Sequence, residues 1–256
     1  MIVYMNTQTK DLLIKVPAVT LGFWIIKILC TTLGETGGDA VSMTWNLGYL
    51  LSTFIFATIL FVLIYLQVKS KTYKPWLYWS TIIASTTAGT TLADYADRSL
   101  GIGYTGGSAL LLSLLLLTLY IWRKSTGTIS VESIDNPKSE AFYWLAITFS
   151  QTLGTALGDW MADTNSFGYL NAGFVFGAAL IVVAILYYKS KISHVLLFWA
   201  AFILTRPLGA VVGDLLDKPL AKGGLDISRP LISLLLLLVI AVLIYIIPQQ
   251  PAERGH

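Results

Sequence analysis

Long apolar segments of about 20 residues recur eight times along the chain. A helix of that length crosses a hydrocarbon core of about 30 Å. Four of the segments have apolar runs without any charge, and they alternate with four that carry acidic residues. The pattern predicts an all-α integral membrane protein with eight transmembrane helices, at residues 17–38, 47–68, 76–96, 103–122, 141–162, 168–188, 194–216 and 228–247.

The same residue types recur in four copies at constant spacing. A tryptophan is followed after ten residues by a glycine, after five more by an aspartate and after nine more by a second glycine, as in Trp24, Gly34, Asp39 and Gly48. The copies start at Trp24, Trp79, Trp144 and Trp199. Their starts are 55, 65 and 55 residues apart, which indicates a two-repeat unit that was duplicated once more.

Each copy contains two predicted spans, so all four copies insert in the same orientation. They are therefore parallel two-helix repeats around a pseudo-symmetry axis along the membrane normal. We expect a single membrane domain over residues 1–256, with repeats at about 16–69, 75–123, 140–189 and 194–248 and a linker at 124–139. The charge-free second helices are expected to form the outer wall, while the acidic first helices line the axis.

The distribution of Lys and Arg predicts the orientation, because cytoplasmic loops are enriched in these residues. Eleven lie at the termini and in the loops after the second, fourth and sixth spans, and four lie on the other side. The four are Arg98, Lys218, Lys222 and Arg229. Both termini are therefore predicted to be cytoplasmic, in a multi-pass protein of the inner membrane.

The composition excludes several classes of protein. Charged residues make up 12% of the chain and hydrophobic residues 55%, whereas a soluble domain has about 25% charged residues. One Cys and two His exclude an internal disulfide, a thiolate or His-rich metal centre and a His-based triad. The net charge of +3 is too small for a nucleic-acid footprint. We expect the lipid bilayer as environment, no covalent cofactor and no nucleic-acid partner, and we leave open whether copies associate into a homo-oligomer.

A pair of small residues four apart precedes each repeated aspartate. Such pairs let helix backbones approach closely, so we interpret the glycines among them as helix-packing positions. They are Gly34, Gly38, Gly89, Gly154, Gly158, Gly209 and Gly213.

Each repeated aspartate has a second acid three or four residues away, on the same helix face. A carboxylate in mid-membrane costs about 2.5–3.5 kcal/mol on insertion scales, and crowded carboxylates hold protons or bind cations. Their oxygen atoms favour Mn²⁺, Mg²⁺ or Ca²⁺. The candidate metal ligands are Asp39, Asp94, Asp159, Asp214, Glu35, Asp97, Asp163 and Asp217. The alternative is that several of these acids cap helix ends or face outer water.

Two basic residues lie inside acid-bearing spans. Arg206 is followed by Pro207, where the other repeats have Thr, and a proline kinks a helix and frees a carbonyl. We interpret Arg206, Pro207 and Lys27 as candidate gating or counter-ion residues. Lys27 can instead snorkel to the cytoplasmic surface, and the repeated tryptophans are expected to anchor the helices in an interfacial aromatic belt.

This arrangement resembles a bacterial family of membrane proteins that are built from four tandem two-helix repeats, each with a characteristic tryptophan. The family is a domain of unknown function. The matching positions are the tryptophans, glycines and aspartates given above, and the resemblance covers Trp24–Ile247. It implies the architecture and no activity. Separately, Glu35-Thr36-Gly37-Gly38-Asp39 is similar to the Glu-x-Gly-Asp signature of a calcium/manganese–proton antiporter family, with one extra glycine and with Ala40 where that family has Lys or Arg.

The leading functional hypothesis is a transporter or channel for a cation, with a divalent metal ahead of a proton or monovalent ion and with proton coupling left open. A non-catalytic scaffold or regulator, in which the acids are salt-bridged or solvated, is the main alternative. An intramembrane aspartyl hydrolase is a further one, because Gly158-Asp159 and Gly213-Asp214 resemble the Gly-Asp context of membrane-embedded aspartyl proteases. An anion pathway along Lys27 and Arg206 is disfavoured by the eight acids. The leading hypothesis predicts that the chain is not an enzyme.

Overall fold

The structure is a computed structural model that describes residues 14–164 and 167–252. Eight long helices account for most of these residues, and no strand is present among them apart from one isolated bridge between Pro17 and Pro251. The helices are α1 Leu21–Asp39, α2 Tyr49–Lys69, α3 Pro75–Asp94, α4 Tyr104–Thr126, α5 Pro137–Asp163, α6 Tyr169–Lys189, α7 His194–Asp217 and α8 Arg229–Ile246. The predicted all-α fold is confirmed for the described residues.

Five helices, α2, α4, α6, α7 and α8, are long and apolar enough to cross a membrane. The second helices also direct large apolar side chains outwards, such as Phe61, Leu110, Ile181 and Leu234. A surface of this kind is suited to lipid and costly in water. The chain is therefore a multi-pass membrane protein, while the full count of eight spans stays a prediction. The orientation count also used Lys10 and Arg254, which lie outside the described residues.

The four first helices, α1, α3, α5 and α7, form a closed ring. Helix α1 packs against α3 and α7, and α5 packs against the same two helices on the opposite side. This is the arrangement expected for acid-bearing helices that line an axis. We call these four helices the ring.

Each second helix covers the first helix of the following repeat. Helix α2 packs on α3, α4 on α5 and α6 on α7, and α8 returns to pack on α1. The ring is therefore completed within one chain, and its outer wall links every repeat to the next.

The repeated glycines let the ring close tightly. A Cβ atom on Gly34, Gly89, Gly154 or Gly209 would come within 3.0 Å of the neighbouring first helix. In each case the neighbour contributes a residue at or next to the position seven after its own tryptophan, namely Thr86, Gln151 with Thr152, Arg206 and Thr31. A Cβ on the second glycines, Gly38, Gly158 and Gly213, would lie 3.1, 3.1 and 2.8 Å from Thr90, Ala210 and Glu35, which stand eleven residues after their tryptophans. This geometry supports the packing interpretation of all seven glycines.

The tryptophans are packed inside the ring's first turn rather than at a membrane interface. Trp79, Trp144 and Trp199 are at most 2% exposed, and Trp24 is half-buried. The aromatic residue before each tryptophan contacts the tryptophan of the next repeat. The pairs are Phe23–Trp79, Tyr78–Trp144, Tyr143–Trp199 and Phe198–Trp24. The expected interfacial belt is therefore wrong for the three buried tryptophans, because a neighbouring aromatic ring takes the place of lipid headgroups.

The linker at 124–139 is part of this aromatic end of the protein. Val131 and Ile134 are buried against the core, and the indole N–H of Trp199 donates to the carbonyl of Ile129 over 3.0 Å. The linker therefore closes the end of the ring at which the first helices begin.

The loops at the other end differ between repeats. Helices α2, α4 and α6 begin directly after Gly48, Gly103 and Gly168, whose φ angles of 74–80° favour glycine. In the fourth repeat Gly223 instead follows a short turn, Leu220–Lys222, and α8 begins later, at Arg229. The longer loop begins with Lys218, whose ammonium group contacts acids at the ends of two ring helices.

Candidate functional site

Arg206 reaches the centre of the ring. Its Nη2 atom donates to Glu35 Oε2 over 3.0 Å and to Thr90 Oγ1 over 2.6 Å, and it also contacts Thr155 Oγ1. These three acceptors belong to α1, α3 and α5, and all stand eleven residues after their tryptophans. The fourth residue of this layer is Ala210, which offers no competing side chain. One guanidinium group therefore joins all four helices of the ring.

The sequence around Arg206 explains why it fits there. Its side chain packs over Gly154, which has no Cβ, and Pro207 packs over the same glycine. Pro207 lies inside α7, which stays helical through it. Arg206 is fully buried, and its Nε and Nη1 atoms have no hydrogen-bond partner in the structure. The counter-ion interpretation of Arg206 matches this geometry, since its partner is the carboxylate of Glu35.

The repeated aspartates lie one turn further along, and basic residues join them in two pairs. Arg98 contacts Asp94 with Nε over 2.8 Å and Asp159 with Nη2 over 3.3 Å. Lys218 contacts Asp214 over 2.8 Å and also Asp39. The four aspartates are at most 4% exposed. Each basic residue thus bridges its own repeat and the next.

The two bridges are related by the duplication of the two-repeat unit. Arg98 and Lys218 both stand 19 residues after the tryptophan, in the second and fourth repeats. Both follow their repeated aspartate by four residues, so each can fold back onto it. The acid–base network therefore has two-fold rather than four-fold pseudo-symmetry.

The fourth-repeat loop adds a further ion pair. Arg229 Nε, at the start of α8, lies 2.8 Å from Asp217 Oδ2 and 3.7 Å from Asp39 Oδ2. Lys218 lies 3.8 Å from Asp217 Oδ1. Burial alone would lower the pKa of Lys218, but the carboxylates of Asp214, Asp39 and Asp217 hold that pKa well above its ordinary value. The raised pKa favours the charged form of Lys218 among the three acids.

Among the residues that the structure describes, two groups of three acids are close enough together to hold a metal ion. One oxygen each from Glu35, Asp159 and Asp214 lie within 4.8 Å of one another, and we call these residues the inner acid group. The same holds for Asp39, Asp214 and Asp217, which we call the outer acid group. Asp214 belongs to both, so the two groups are continuous.

Three candidate ligands belong to neither group. Asp94 is joined to Asp159 of the inner acid group through Arg98, whereas the other two lie apart. Asp163 is exposed and accepts a hydrogen bond from the Tyr104 hydroxyl over 3.0 Å. Asp97 is partly buried, with its Oδ1 atom 3.1 Å from a Cβ built on Gly107. The structure therefore brings together six of the eight predicted acids and leaves Asp97 and Asp163 at the periphery.

Lys27 is buried in the ring. Its side chain is fully buried, its ammonium group lies 4.1 Å from the centre of the Phe202 ring, and it donates to Thr205 Oγ1 over 3.4 Å. The snorkelling interpretation is wrong, because the aromatic face and the hydroxyl provide an internal environment for the charge. In contrast to Arg206, the contacts seen for Lys27 do not support its use as a counter-ion to the acids.

Sequence analysis missed three members of the network, Arg98, Lys218 and Arg229. Their positions at the ends of predicted spans make them loop charges in the sequence pattern. A signal was nevertheless present for the first two, since each stands four residues after a repeated aspartate at the same repeat position.

The comparisons with known proteins agree with the repeat organisation. A family model described as Repeat of Unknown Function (DUF347) matches residues 22–73, 77–128, 142–193 and 197–247. Each match covers one first helix and one second helix, so the prediction of four tandem two-helix repeats is confirmed. No curated protein and no solved structure matches the chain.

Proposed function

Because the chain belongs to the DUF347 repeat family, whose description assigns no activity, we propose a function from the geometry of its ring: the protein is a transporter or channel for a cation. The preferred cation is a divalent metal of the Mn²⁺, Mg²⁺ or Ca²⁺ class, with protons as the coupled ion. It acts in the inner membrane with both termini in the cytoplasm, so that the acid groups lie at the outer end of the pathway.

The observation that carries this proposal is an excess of buried carboxylates at the centre of the ring. Six acids form the inner and outer groups together with Asp94, while four basic residues pair with them. If all are ionised, the network has two more negative than positive charges. Uncompensated charge of this kind is costly inside a membrane protein. A divalent cation, or two protons, would neutralise it.

The unpaired atoms support binding at the inner acid group. Asp159 Oδ1 is buried and has no hydrogen-bond partner in the structure. Metal–oxygen distances of about 2.0–2.6 Å let one ion join oxygens that are up to about 5 Å apart. The 4.8 Å limit of the inner acid group falls within that span, and carboxylate oxygens are hard ligands that suit the proposed ions.

The path of the ion would run along the ring axis. On the outer side Arg98, whose side chain is one-third exposed, stands between the acids and the surface. On the other side the path meets the Arg206 guanidinium, then the layer of Lys27 and Phe202, then the packed aromatic end. We assign the gating role to Arg206 and Pro207, because a proline lets α7 bend next to the group that closes the axis.

Flux measurements on proteoliposomes test the proposal. Purified protein should take up Mn²⁺, and a pH-sensitive dye should report linked proton movement. Asp159→Asn and Asp214→Asn should each lower the initial rate at least tenfold, because each removes a charge from the inner acid group. Asp163→Asn is the matched control and should keep the wild-type rate. Unchanged flux in both Asp159→Asn and Asp214→Asn would refute the proposal.

A second candidate function is favoured by the number of ion pairs. Every acid of the network contacts a resident basic residue, as in a packing-driven scaffold or regulator whose acids hold the repeats together. This alternative predicts that Asp159→Asn and Asp214→Asn change stability or assembly, while neither wild-type nor variant protein moves Mn²⁺. Comparison of flux with thermal stability in the same preparations separates the two functions.

A further inference from the structure

The Lys218 ammonium group sits where a cation would sit in the outer acid group. It touches Asp39, lies 2.8 Å from Asp214 and is 3.8 Å from Asp217. The three carboxylates come from two ring helices, α1 and α7. Carboxylate oxygens from three separate side chains therefore surround one positive charge, as they would surround part of a bound cation.

A second observation points to a ligand at the same place. Asp39 is fully buried, yet its Oδ1 atom has no hydrogen-bond partner in the structure. Its Oδ2 atom is the one that Lys218 and Arg229 contact. A buried carboxylate oxygen without a partner is unusual. The outer acid group therefore has a ligand atom that Lys218 does not use.

The equivalent bridge of the other half of the protein is built differently. Arg98 uses two different nitrogen atoms to hold Asp94 and Asp159, and a planar guanidinium fork of this kind fixes both carboxylates at once. Lysine instead offers a compact charge on a flexible four-carbon stem. The Lys218 bridge is the one that a small cation can replace without rebuilding the ring.

The position of Lys218 in the chain allows this exchange. It is the first residue after α7, and its carbonyl accepts from the Asp226 N–H over 2.9 Å. Gly224 packs directly against the Lys218 backbone, where no Cβ would fit. The loop therefore fixes the backbone of Lys218, while the side chain alone has to turn away from the acids.

We propose that Lys218 is a tethered occupant of the outer acid group and that an incoming divalent cation binds there by displacing its ammonium group. The inference rests on the proposed function and adds a first binding step to it. Asp214, which both acid groups share, then passes the ion to Glu35 and Asp159.

Competition of this kind has a measurable consequence. When an occupant fills a site most of the time, the apparent affinity for a second ligand falls by the fraction of time the site is open. A site that Lys218 fills for more than about nine-tenths of the time would bind metal at least about tenfold more weakly than the same site without it. Removal of the ammonium group should therefore strengthen metal binding, although it also removes a stabilising ion pair.

The test is a titration of thermal unfolding with MnCl₂, on the full chain in detergent at constant ionic strength. Wild type, Lys218→Gln and Lys218→Arg are compared with Lys222→Gln, which changes an exposed lysine of the same loop. For Lys218→Gln, the Mn²⁺ concentration at half-maximal stabilisation should be at least about tenfold lower than for wild type. Lys218→Arg should need more Mn²⁺ than wild type, because a guanidinium holds two carboxylates at once. Lys222→Gln should match wild type.

The outcomes separate this inference from the proposed function. A half-maximal concentration for Lys218→Gln that equals or exceeds the wild-type value overturns the inference, even where Asp214→Asn abolishes Mn²⁺ flux and the proposed function stands. If Lys218→Gln does not fold, an unchanged half-maximal concentration for Lys218→Arg overturns it instead. A complete lack of Mn²⁺ stabilisation in wild type and all variants contradicts the inference directly, and a lack of Mn²⁺ flux then removes the proposed function as well.

Discussion

At the scale of single residues, the centre of the protein depends on one repeat position that carries a charged side chain in a single copy. The position seven after the tryptophan is Thr31, Thr86 and Gln151 in three repeats and Arg206 in the fourth. The arginine brings a buried positive charge next to Glu35. A buried pair of this kind adds little net stability, but removal of one partner leaves the other uncompensated.

Arg206→Met should therefore destabilise the protein by about 3–5 kcal/mol, because it strands the carboxylate of Glu35. The double variant Glu35→Gln/Arg206→Met should recover most of that loss, since neither charge then remains. Denaturant unfolding in detergent, followed by circular dichroism, measures both values. A double variant that is as unstable as Arg206→Met would show that the charge pair does not explain the effect.

The same scale shows what the sequence could and could not reveal about the site. The acids were predictable, because a carboxylate repeated four times at one helical position stands out in an apolar chain. The contacts of Lys218 and Arg229 with Asp39 were not predictable, because these residues come together only after distant helices pack. A spacing of three or four residues predicts a shared face only within a regular α-helix. Asp97 lies in the π-helical segment Tyr95–Ser99, where that spacing no longer applies, and Asp163 lies at the exposed end of α5.

At the scale of helices, the ring is a set of four equivalent contacts between neighbouring first helices. Each contact places a glycine of one repeat against the position seven after the tryptophan in the next. At Gly89 the two nearest atoms are both backbone: a Cβ there would lie 2.9 Å from the nitrogen of Thr152 and 3.0 Å from the carbonyl carbon of Gln151. Backbone atoms cannot turn aside as a side chain can.

Gly89→Ala should consequently push α3 and α5 apart and cost about 1–3 kcal/mol in unfolding free energy, as overpacking does elsewhere. Gly177→Ala, in α6, is the matched control, because nothing lies within 4 Å of a Cβ at that position. The control should be neutral or stabilising by up to about 1 kcal/mol, since alanine favours a helix over glycine. Equal stability of the two variants would contradict the packing account of the repeated glycines.

Much of this level was predictable from sequence. The Gly-x-x-x-small pattern indicated close helix contacts, and the charge-free helices were correctly expected outside the acid-bearing ones. The prediction for the tryptophans was wrong because an aromatic residue near the end of a span is more often an anchor at the membrane interface. Each tryptophan is covered by the aromatic residue that precedes the tryptophan of the neighbouring repeat. The repeat pattern of Trp, Gly and Asp does not include that residue.

At the scale of the whole molecule, four copies of the two-helix repeat form a closed ring. The chain returns to its start when α8 packs on α1, so the ring needs no second copy for its completion. Sequence spacing predicted the parallel repeats and the axis. The spacing also indicated that each second helix packs on the first helix of the following repeat. Helices α2 and α3 are separated only by residues 70–74, and short connections join antiparallel neighbours.

At this scale the proposed cation site lies between Glu35, Asp159 and Asp214, within the ring of one chain. A crystal structure determined with MnCl₂, with anomalous data collected near the manganese absorption edge, tests it most directly. We expect an anomalous peak between these three carboxylates, with metal–oxygen distances of about 2.0–2.6 Å. This expectation would be contradicted by four first helices that fail to surround a common axis, or by an absence of anomalous density among these acids at Mn²⁺ concentrations that support flux.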